Sequence, residues 1–295
     1  MLKVTIMQNI NQSKSTEQTP VLIIGGGISG LTAALFLLKH GVTPIVVERH
    51  RGTSVHPRAR GFDVRTMELY RELEIGDELR EAGKALSPSW GIHTAPSVAA
   101  LMEKKKPKKA DKPKSPSEFK GLGAIMSLSP ETGCRCTQDL AEPILLQAAV
   151  NRGADVRFYT EMTSFSQDEN GVTATVKNRE SGVENTINAD YMIAADGAKS
   201  VIRETMNAET VGTGALGNLL NIYFEADLAD VVRGREFSLL RIEEPDLKGL
   251  FTSINNSDRW VFHLHYDADK GERPEDYTHE RLIAILERVV GIPGI

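Results

Sequence analysis

The sequence predicts an α/β fold, in which a domain with a parallel sheet is joined to a second domain of mainly antiparallel β-structure. A short apolar strand, a glycine-rich turn, a helix and a second strand follow one another from Pro20 to Glu48, the pattern of a β-α-β unit. After about residue 206, strand-like segments separated by turns replace the alternation of strands and helices. The 295 residues are enough for one large domain or two ordinary ones.

The composition excludes several classes of protein. Hydrophobic residues make up 40% of the chain, which excludes a wholly disordered protein. The formal net charge is −5, so the chain has no overall basic character for binding nucleic acid. Its two cysteines, Cys134 and Cys136, are too few for a disulfide framework or a four-ligand zinc site. We therefore expect reduced thiols, no metal, no nucleic-acid partner and a cytoplasmic location.

One uncharged stretch, residues 21–38, has the length of a membrane helix. Three consecutive glycines, Gly25 to Gly27, interrupt it near its start, and Gly30 follows soon after. A strand, a turn and a helix explain this content better than one continuous helix. We expect neither a membrane span nor a membrane partner.

The first domain is predicted to alternate strands and helices. Pro20–Ile24 is an apolar run typical of a buried parallel strand, and Leu31–Lys39 favours a helix because it contains neither Gly nor Pro. Pro44–Glu48 is a second buried strand. The later elements are predicted as helical structure over 62–83, a helix over 138–152, a strand over 155–160, a hairpin turn at Asn170-Gly171 and a strand over 186–195.

Two segments are expected to lie outside the packed structure. Residues 1–19 end in a polar run and predict a flexible tail. Residues 98–120 combine many lysines with several prolines, which predicts an exposed loop because like charges and prolines oppose a packed core. A basic patch for nucleic acid or an acidic membrane is the functional alternative, which the acidic chain and the lack of interleaved aromatic residues disfavour.

The second domain, residues 206–295, is predicted to be rich in antiparallel strands. The strand-like segments are residues 221–226, 237–242, 250–255 and 260–266. In the last of them Trp260 and Phe262 lie on one face and His263 and His265 on the other, because side chains alternate along a strand. A final helix is expected to bury the face formed by Leu282, Ile285, Leu286 and Val289.

The glycine-rich turn is the strongest functional signal. Gly25, Gly27 and Gly30 follow a strand and open a helix, so they allow a tight turn, a close approach of the backbone to a pyrophosphate, and close packing of helix on sheet. The free amides and the dipole of a helix N-terminus bind phosphate. Glu48 ends the next strand and is placed to accept the ribose hydroxyls of an adenosine. These residues predict a site for an ADP-containing cofactor, either FAD or NAD; the alternative is a tight turn without a ligand.

Three further segments carry a family resemblance: His56-Pro57-Arg58-Ala59-Arg60-Gly61, the residue Gln138, and the run from Ala194 through Asp196-Gly197 to Arg203. With the glycine-rich turn, they make the chain resemble the single-component FAD-dependent aromatic hydroxylases, the flavoprotein monooxygenases typified by p-hydroxybenzoate hydroxylase. The resemblance is strongest to the branch that hydroxylates phenols and aromatic polyketides, and it extends to about residue 290. Ala194 departs from the glycine that is usual in the family.

This resemblance implies FAD as cofactor and NADPH or NADH as a transient reductant. The residues it implies in cofactor binding are Gly25, Gly27, Ile28, Ser29, Gly30, Glu48, Arg49, Arg58, Gln138, Asp196 and Gly197. Each of the later positions also has a structural interpretation: Arg58 as a solvated charge, Gln138 as a helix start, and Asp196-Gly197 as a turn. The resemblance further implies a Rossmann-like FAD-binding domain of residues 20–95 and 121–205, interleaved in sequence with the substrate domain of residues 206–295.

The implied reaction is hydroxylation of a small aromatic substrate by O2 through a flavin hydroperoxide. A base near the ring would help because deprotonating a phenol raises its electron density. No catalytic residue can be assigned from the sequence, and the weak candidates on the substrate-domain strands are Tyr223, Arg241, His263 and His265. The sequence does not indicate an oligomeric state.

One family motif is missing. Members of the family carry a second FAD motif, Gly-Asp followed by a small residue and Ala-His, and this sequence has only Gly76-Asp77 without the Ala-His. We therefore expect a substrate domain that is incomplete at the C-terminus and an activity that is impaired. The alternatives are an inactive nucleotide-binding remnant, or another flavoprotein of the same fold such as an epoxidase or a reductase; a plain NAD dehydrogenase is the least favoured.

Overall fold

The computed structural model describes residues 15–84, 86, 91–104 and 128–295. The chain forms two units, each made of two separate stretches of sequence. The first unit consists of Met1–Val55 and Ala141–Glu209, and the second of His56–Leu140 and Thr210–Ile295. The predicted α/β class, with a parallel sheet in one unit and mainly antiparallel pairing in the other, is confirmed.

A six-stranded sheet forms the centre of the first unit. Its strands are β1 (Thr16–Ile24), β2 (Pro44–Glu48), β4 (Asp155–Phe158), β5 (Thr160–Asp168), β6 (Gly171–Asn178) and β7 (Glu184–Ala194). The order across the sheet is β4-β2-β1-β7-β6-β5. Strands β4, β2, β1 and β7 are parallel, and β5 and β6 add an antiparallel hairpin beside β7. The chain leaves β1 toward β2, while β7 lies on the other side of β1, so a topological switch point lies between the ends of β1 and β7.

Among the described residues, three helices belong wholly or largely to this unit: α1 (Ile28–Lys39), α5 (Gln138–Asn151) and α6 (Val201–Thr205). The β-branched and leucine side chains of the central strands are buried on both faces, as a parallel sheet covered on both sides requires. Leu22 and Val47 pack in one cluster, and Ile23 and Val46 pack with Ala34 of α1 in another. This packing fixes the C-terminal ends of β1 and β7, where the candidate site lies.

A five-stranded sheet forms the centre of the second unit. Its strands are β3 (Ile92–Ala95), β8 (Asn218–Glu225), β9 (Leu239–Glu243), β10 (Lys248–Ser253) and β11 (Arg259–Tyr266), in the order β3-β9-β10-β11-β8. The pairing is antiparallel except between β3 and β9. The helices that the described part of this unit contains are α2 (Val64–Glu72), α3 (Gly76–Gly83), α4 (Val98–Glu103), α7 (Ala229–Val232) and α8 (His279–Val290), with 3₁₀ turns at Ala268–Lys270 and Pro274–Asp276.

One face of this second sheet carries an aromatic core. Trp260 and Phe262 of β11 pack with Phe251 and Phe237, with ring centroids 5.5–6.4 Å apart. Val98 and Leu101 of α4 and Leu286 and Val289 of α8 belong to the same buried cluster. The predicted faces of β11 are therefore confirmed: the aromatic residues are buried, while His263 is half-buried and His265 is exposed.

Two expectations about unstructured segments are wrong in part. The predicted tail of residues 1–19 is too long, because Thr16–Thr19 pair with Thr186–Ala189 of β7 and so extend β1 beyond its apolar part. The predicted loop of residues 98–120 begins as helix α4, which Ser97 caps by accepting a hydrogen bond from the amide of Ala100 and which buries Val98 and Leu101. The rest of that predicted loop, residues 105–120, lies outside the described residues.

The predicted boundaries of the domains also differ from the units. Residues 56–95 are expected in the FAD-binding domain, but those of them that the structure describes fall in the second unit, where β3 pairs with β9. The predicted helical stretch 62–83 consists of two helices, which separate where Glu74 adopts a left-handed conformation with φ of +58°. Within the described residues, no helix is long and apolar enough to cross a membrane.

Candidate nucleotide and ring sites

The glycine-rich turn joins β1 to α1 and is held between two neighbouring strands. The amide of Gly25 donates to the carbonyl of Val47 at the end of β2, 2.8 Å away. The amide of Ala195, just after β7, donates to the carbonyl of Ile24, also at 2.8 Å. Gly25 has a φ of +111°, and a Cβ there would lie 2.2 Å from the carbonyl oxygen of Ala195. The turn therefore takes this shape at the topological switch point, where open α/β sheets bind their ligands.

The first turn of α1 has the features of a phosphate site. Gly27 is the N-cap residue, and no side chain among the described residues caps the helix there. The first amides of a helix have no partner within it and carry partial positive charge. A Cβ on Gly27 would meet only the Oε1 atom of Glu142, 3.5 Å away. The backbone would therefore tolerate a side chain at this position, and the glycine keeps the space beside it free. A dinucleotide pyrophosphate fits the start of α1, because the free amides of a helix N-terminus bind phosphate and Gly27 has no side chain to occupy the space beside them.

Glu48, predicted to bind a ribose, ends β2 beside the turn. Its Oε2 atom accepts a hydrogen bond from the amide of Gly26 at 2.8 Å, and its Oε1 atom accepts one from the amide of His50 at 2.7 Å. The Nδ1 atom of His50 also lies 2.6 Å from Oε1. Each carboxylate oxygen has two lone pairs, so Glu48 fixes the turn and keeps acceptor capacity. Its neighbour Arg49, also a predicted contact, is exposed.

The segment after β7 lines a cleft together with the start of α1. This cleft has a volume of about 490 Å³, and Ser29, Asp196, Gly197, Ser200 and Arg203 are among its lining residues. The Oδ2 atom of Asp196 accepts a hydrogen bond from the amide of Ile202 at 3.3 Å. Two parts of the sequence that are about 170 residues apart, Ser29 and Asp196-Gly197, are thus brought to one cleft of the first unit.

Glu142 is a residue that the sequence analysis missed. It lies in α5 with only 2% of its surface exposed, and its Oε2 atom accepts a hydrogen bond from the amide of Ser54 at 2.6 Å. Its Oε1 atom faces the space beside Gly27. The carboxylate therefore binds the segment after β2 and lies beside the glycine-rich turn. A charged residue on the apolar face formed by Leu145 and Ala149 was the signal that could have revealed it.

Arg58 and Gln138, the predicted flavin contacts, belong to the second unit. The amide of Gln138 donates to the carbonyl of Arg58 at 3.0 Å, so the structure brings the two together, and the Arg58 side chain is exposed. Arg60 has a different position. Its guanidinium donates to the carbonyls of Ser238 and Ser253 at 3.0 and 2.8 Å and to the Ser238 hydroxyl at 2.8 Å. Burial lowers the pKa of Arg60.

The four weak catalytic candidates share the sheet face opposite the aromatic core. The register pairs Leu250 with both Arg241 and His263, and Val261 with Tyr223, and His265 follows His263 on the same face. His263 and Tyr223 are half-buried, whereas Arg241 and His265 are exposed. The structure therefore brings all four to one surface, which we call the polar sheet face.

A chain of polar contacts at one end of the polar sheet face was also missed. The Tyr223 hydroxyl donates to Oε1 of Glu225 at 2.8 Å and accepts from Nε of Arg259 at 3.2 Å. Arg259 also forms an ion pair with Asp139 at the start of α5. Burial raises the pKa of Tyr223, so the phenol is protonated at neutral pH. The signal was the alternation of Arg259 with apolar residues in β11, which places it on the same face as His263.

The two cysteines are buried thiols. Both are free, and burial raises the pKa of Cys136 to about 12, so its thiol is protonated and unreactive at neutral pH. Within the part of the chain that the structure describes, no three His, Cys, Asp or Glu side chains form a group that could hold a metal ion.

Comparison with known proteins identifies the family. The model of the FAD binding domain family matches residues 18–295, nearly the whole chain. This chain belongs to the FAD binding domain family. Two relatives in this family are the tetracenomycin A2 monooxygenase-dioxygenase of Streptomyces glaucescens, 39% identical, and the aklavinone 12-hydroxylase of Streptomyces peucetius subsp. caesius, 38% identical. The alignments cover 95% and 93% of this chain, but 52% and 55% of those relatives.

A solved structure gives the same assignment. The ternary complex of aklavinone-11 hydroxylase with FAD and aklavinone matches with a TM-score of 0.78 and 32% identity, over 95% of this chain and 51% of that one. The cofactor of the FAD binding domain family is FAD, so the open choice between FAD and NAD is decided for FAD. The predicted resemblance to aromatic hydroxylases is confirmed. The chain spans about half the length of the relatives it matches.

Proposed function

We propose that this chain works as an FAD-dependent monooxygenase that hydroxylates an aromatic substrate, with NADPH or NADH as reductant and O2 as co-substrate. The observation that carries the proposal is the start of α1, at the topological switch point of the sheet. No side chain of the described residues caps this helix N-terminus, and a Cβ on its N-cap residue Gly27 would meet only the Oε1 atom of Glu142. The names of the relatives supply the reaction class, since they are monooxygenases and hydroxylases.

The first unit would hold the ADP half of FAD. The amides of Gly27, Ile28, Ser29 and Gly30 would bind the pyrophosphate, and the carboxylate of Glu48 would bind the ribose, with Arg49 beside it. The Asp196-Gly197 turn, which lines the same cleft as Ser29, would contact the pyrophosphate side of the cofactor. Gly25 would be needed for the conformation of the turn and would not contact the ligand.

Arg58 and Gln138 are proposed as further contacts of FAD, as the family resemblance implies. Bound FAD supplies the redox chemistry, the transfer of two electrons from NADPH or NADH to O2 and of one oxygen atom to the ring. The contribution of the protein is to bind, to orient and to exclude water. The proposed location is the cytoplasm, where buried thiols such as Cys134 and Cys136 stay reduced.

The proposed substrate class is a polycyclic phenol of the polyketide type. The relatives act, by name, on tetracenomycin A2 and aklavinone, and the structural neighbour holds aklavinone together with FAD. The polar sheet face offers side chains suited to a phenol, since Leu250 supplies apolar contact and Tyr223, Arg241 and His263 supply polar contacts.

The test is hydroxylation by the purified chain. The chain would be supplied with FAD, NADPH, ¹⁸O2 and aklavinone, and the products analysed by mass spectrometry, with NADPH oxidation followed in parallel. Incorporation of one ¹⁸O atom, dependent on the aromatic compound, is the expected result. FAD binding without hydroxylation of aklavinone or of simpler phenols would favour an inactive nucleotide-binding remnant. Transfer of ¹⁸O to an alkene instead would favour an epoxidase.

A further inference from the structure

One row of side chains crosses the polar sheet face. The register places Arg241 of β9, Leu250 of β10, His263 of β11 and Asn221 of β8 opposite one another in turn. Adjacent strands lie about 4.8 Å apart, so Arg241 and His263 start about 10 Å apart with Leu250 between them. This arrangement, an aliphatic floor with a polar side chain at either end, suits a flat aromatic ring that carries a hydroxyl.

The side chain of His263 is held in one tautomer. Its Nδ1 atom lies 2.6 Å from the Oδ1 atom of Asn221, its partner across the strands. An amide oxygen only accepts hydrogen bonds, so Nδ1 carries the hydrogen. In the neutral ring Nε2 therefore keeps its lone pair, and no residue that the structure describes forms a hydrogen bond with Nε2. The imidazole is thus prepared to accept a proton on the side away from Asn221.

Three basic side chains act on this ring. His56 and Arg60 approach His263 from the segment before α2, and His265 lies on the same strand. Burial, together with these three groups, lowers the pKa of His263, so the ring is neutral at pH 7. Arg241 on β9 lies across Leu250, and neither Leu250 nor Asn221 carries a charge. Among the described residues, the hydrogen-bond partners of the Arg60 guanidinium are two carbonyls and a hydroxyl, none of which carries a charge.

We propose that Nε2 of His263 is the proton acceptor for a phenolic hydroxyl of an aromatic ligand lying over Leu250, and that Asn221 is its positioning residue. The inference deepens the proposed function and rests on it. In the step, the phenolic O–H bond breaks, an N–H bond forms at Nε2, and the electron pair remains on the phenolate oxygen. The positive charge of Arg60 favours the anion, which makes the ring richer in electrons, whereas the charge of Arg241 is paired with Glu243, whose Oε1 atom lies 3.8 Å from its Nε atom.

The tautomer is tested first by NMR. The full chain is labelled with ¹⁵N-histidine, and long-range ¹H–¹⁵N spectra report which ring nitrogen of His263 carries hydrogen. The expected result is hydrogen on Nδ1, and in Asn221→Leu a change to hydrogen on Nε2, the form preferred in water. Hydrogen on Nε2 in the unaltered chain would overturn the proposal, because that atom could not then accept a proton.

The acceptor is tested with alizarin, a hydroxyanthraquinone whose visible absorption moves to longer wavelength on ionisation. We expect saturable binding to the full chain and ionisation of bound alizarin at a pH about one unit below that of the free dye. In His263→Gln the preference for the bound anion should fall about tenfold, and in Asn221→Leu by a smaller factor. His279→Gln, which removes an exposed histidine of the same unit, is the matched control and should leave the titration unchanged.

The outcomes separate this inference from the proposed function. FAD binding is measured on the same samples. If alizarin does not bind saturably, or if His263→Gln ionises the bound dye as the unaltered chain does, the acceptor role of His263 is wrong even where FAD binds. If FAD fails to bind while the alizarin titration depends on His263, the ring site stands and the proposed monooxygenase function is contradicted.

Discussion

Gly27 and Gly30 lie three residues apart in one turn, yet their missing side chains have different causes. A Cβ on Gly30 would lie 1.9 Å from the carbonyl oxygen of Gly25, whereas a Cβ on Gly27 would meet only a carboxylate oxygen of Glu142 at 3.5 Å. Gly30 is therefore required for packing, and Gly27 for the space at the start of α1.

This difference predicts two distinct phenotypes. Gly30→Ala should lower the free energy of unfolding by ~1–3 kcal/mol, as overpacking does, and lower the melting temperature accordingly. Gly27→Ala should change stability less and weaken FAD binding by about tenfold or more, ~1.4 kcal/mol. Thermal unfolding and a fluorescence titration with FAD check both variants. A Gly27→Ala chain that binds FAD with unchanged affinity would show that the cofactor does not approach α1 there.

The buried carboxylate of Glu142 should matter for stability. Glu142→Ala removes the carboxylate that accepts the hydrogen bond from the amide of Ser54, and the loss of this bond should cost ~1–3 kcal/mol. Glu142→Gln keeps an acceptor oxygen and should cost less. Denaturant unfolding measures both, with the exposed Glu169→Ala as control. Equal stability of the alanine variant and the unaltered chain would contradict the structural role of Glu142.

His263 should also give the stability a pH dependence. Its pKa in the folded chain is lowered from 6.5, so the native state binds fewer protons than the unfolded state between that lowered value and 6.5. Stability from this group is therefore full above about pH 6.5 and is lost as the pH falls below it. The pKa of His56 is lowered in the same direction.

We expect the free energy of unfolding to fall from about pH 7 to about pH 5, and to fall less in His263→Gln than in the unaltered chain. Urea unfolding at several pH values measures this, and His279→Gln is the control. The opposite slope, a gain in stability on acidification through this range, would show that His263 becomes more basic on folding.

At the scale of elements, the β5–β6 hairpin depends on one glycine. Gly171 has a φ of +137°, and a Cβ there would lie 2.4 Å from the carbonyl oxygen of Ala189 in β7. Gly182 also has a positive φ, +74°, but no atom lies within 4 Å of its Cβ position. Substitutions at Gly171 and Gly182 therefore distinguish the cost of a positive φ alone from the cost of a positive φ together with a steric clash.

Gly171→Ala should therefore destabilise the chain more than Gly182→Ala. The second substitution adds only the cost of a positive φ, ~1 kcal/mol, and the first adds overpacking of ~1–3 kcal/mol to it. Equilibrium unfolding of the two variants measures the difference. Equal losses of stability would mean that β6 and β7 separate enough to admit the methyl group.

The elements that could be predicted from the sequence are those whose own residues show which side of the element is buried. Strand β2 is found at the predicted residues Pro44–Glu48, because its short apolar run is typical of a buried strand. The polar start of β1 could not be found in this way, because Thr16–Thr19 are ordered by pairing with β7, which lies about 170 residues later in the chain. Helix α4 did carry a signal, the cap at Ser97 and the apolar residues Val98 and Leu101, but the lysines that follow obscured it.

The candidate site was predictable to a similar extent. The glycine-rich turn and Glu48 follow from their spacing, since both lie in one β-α-β unit. The roles of Glu142 and Asn221 could not be predicted, because each depends on a partner brought close only by the tertiary fold, Ser54 for one and His263 for the other. Arg60 was noted only as a charge in a motif, and its position on Ser238 and Ser253 required the sheet of the second unit.

At the scale of the whole molecule, the two units carry different parts of the proposed chemistry. The first offers a cradle for a dinucleotide, and the second offers a polar sheet face suited to a phenol. The chain matches the FAD binding domain family over residues 18–295 and spans about half the length of its relatives. Cofactor recognition by the first unit is therefore the claim on which the proposed activity depends.

The most direct test of that claim is a competition titration. FAD is added to the purified chain, its fluorescence is followed, and ADP and FMN are compared as competitors. Because the start of α1 and Glu48 are assigned to the ADP half, we expect FAD to bind with one-to-one stoichiometry, ADP to displace it and FMN to have no effect. Failure to bind FAD, or displacement by FMN but not by ADP, would contradict the assignment of the glycine-rich turn as the cofactor site.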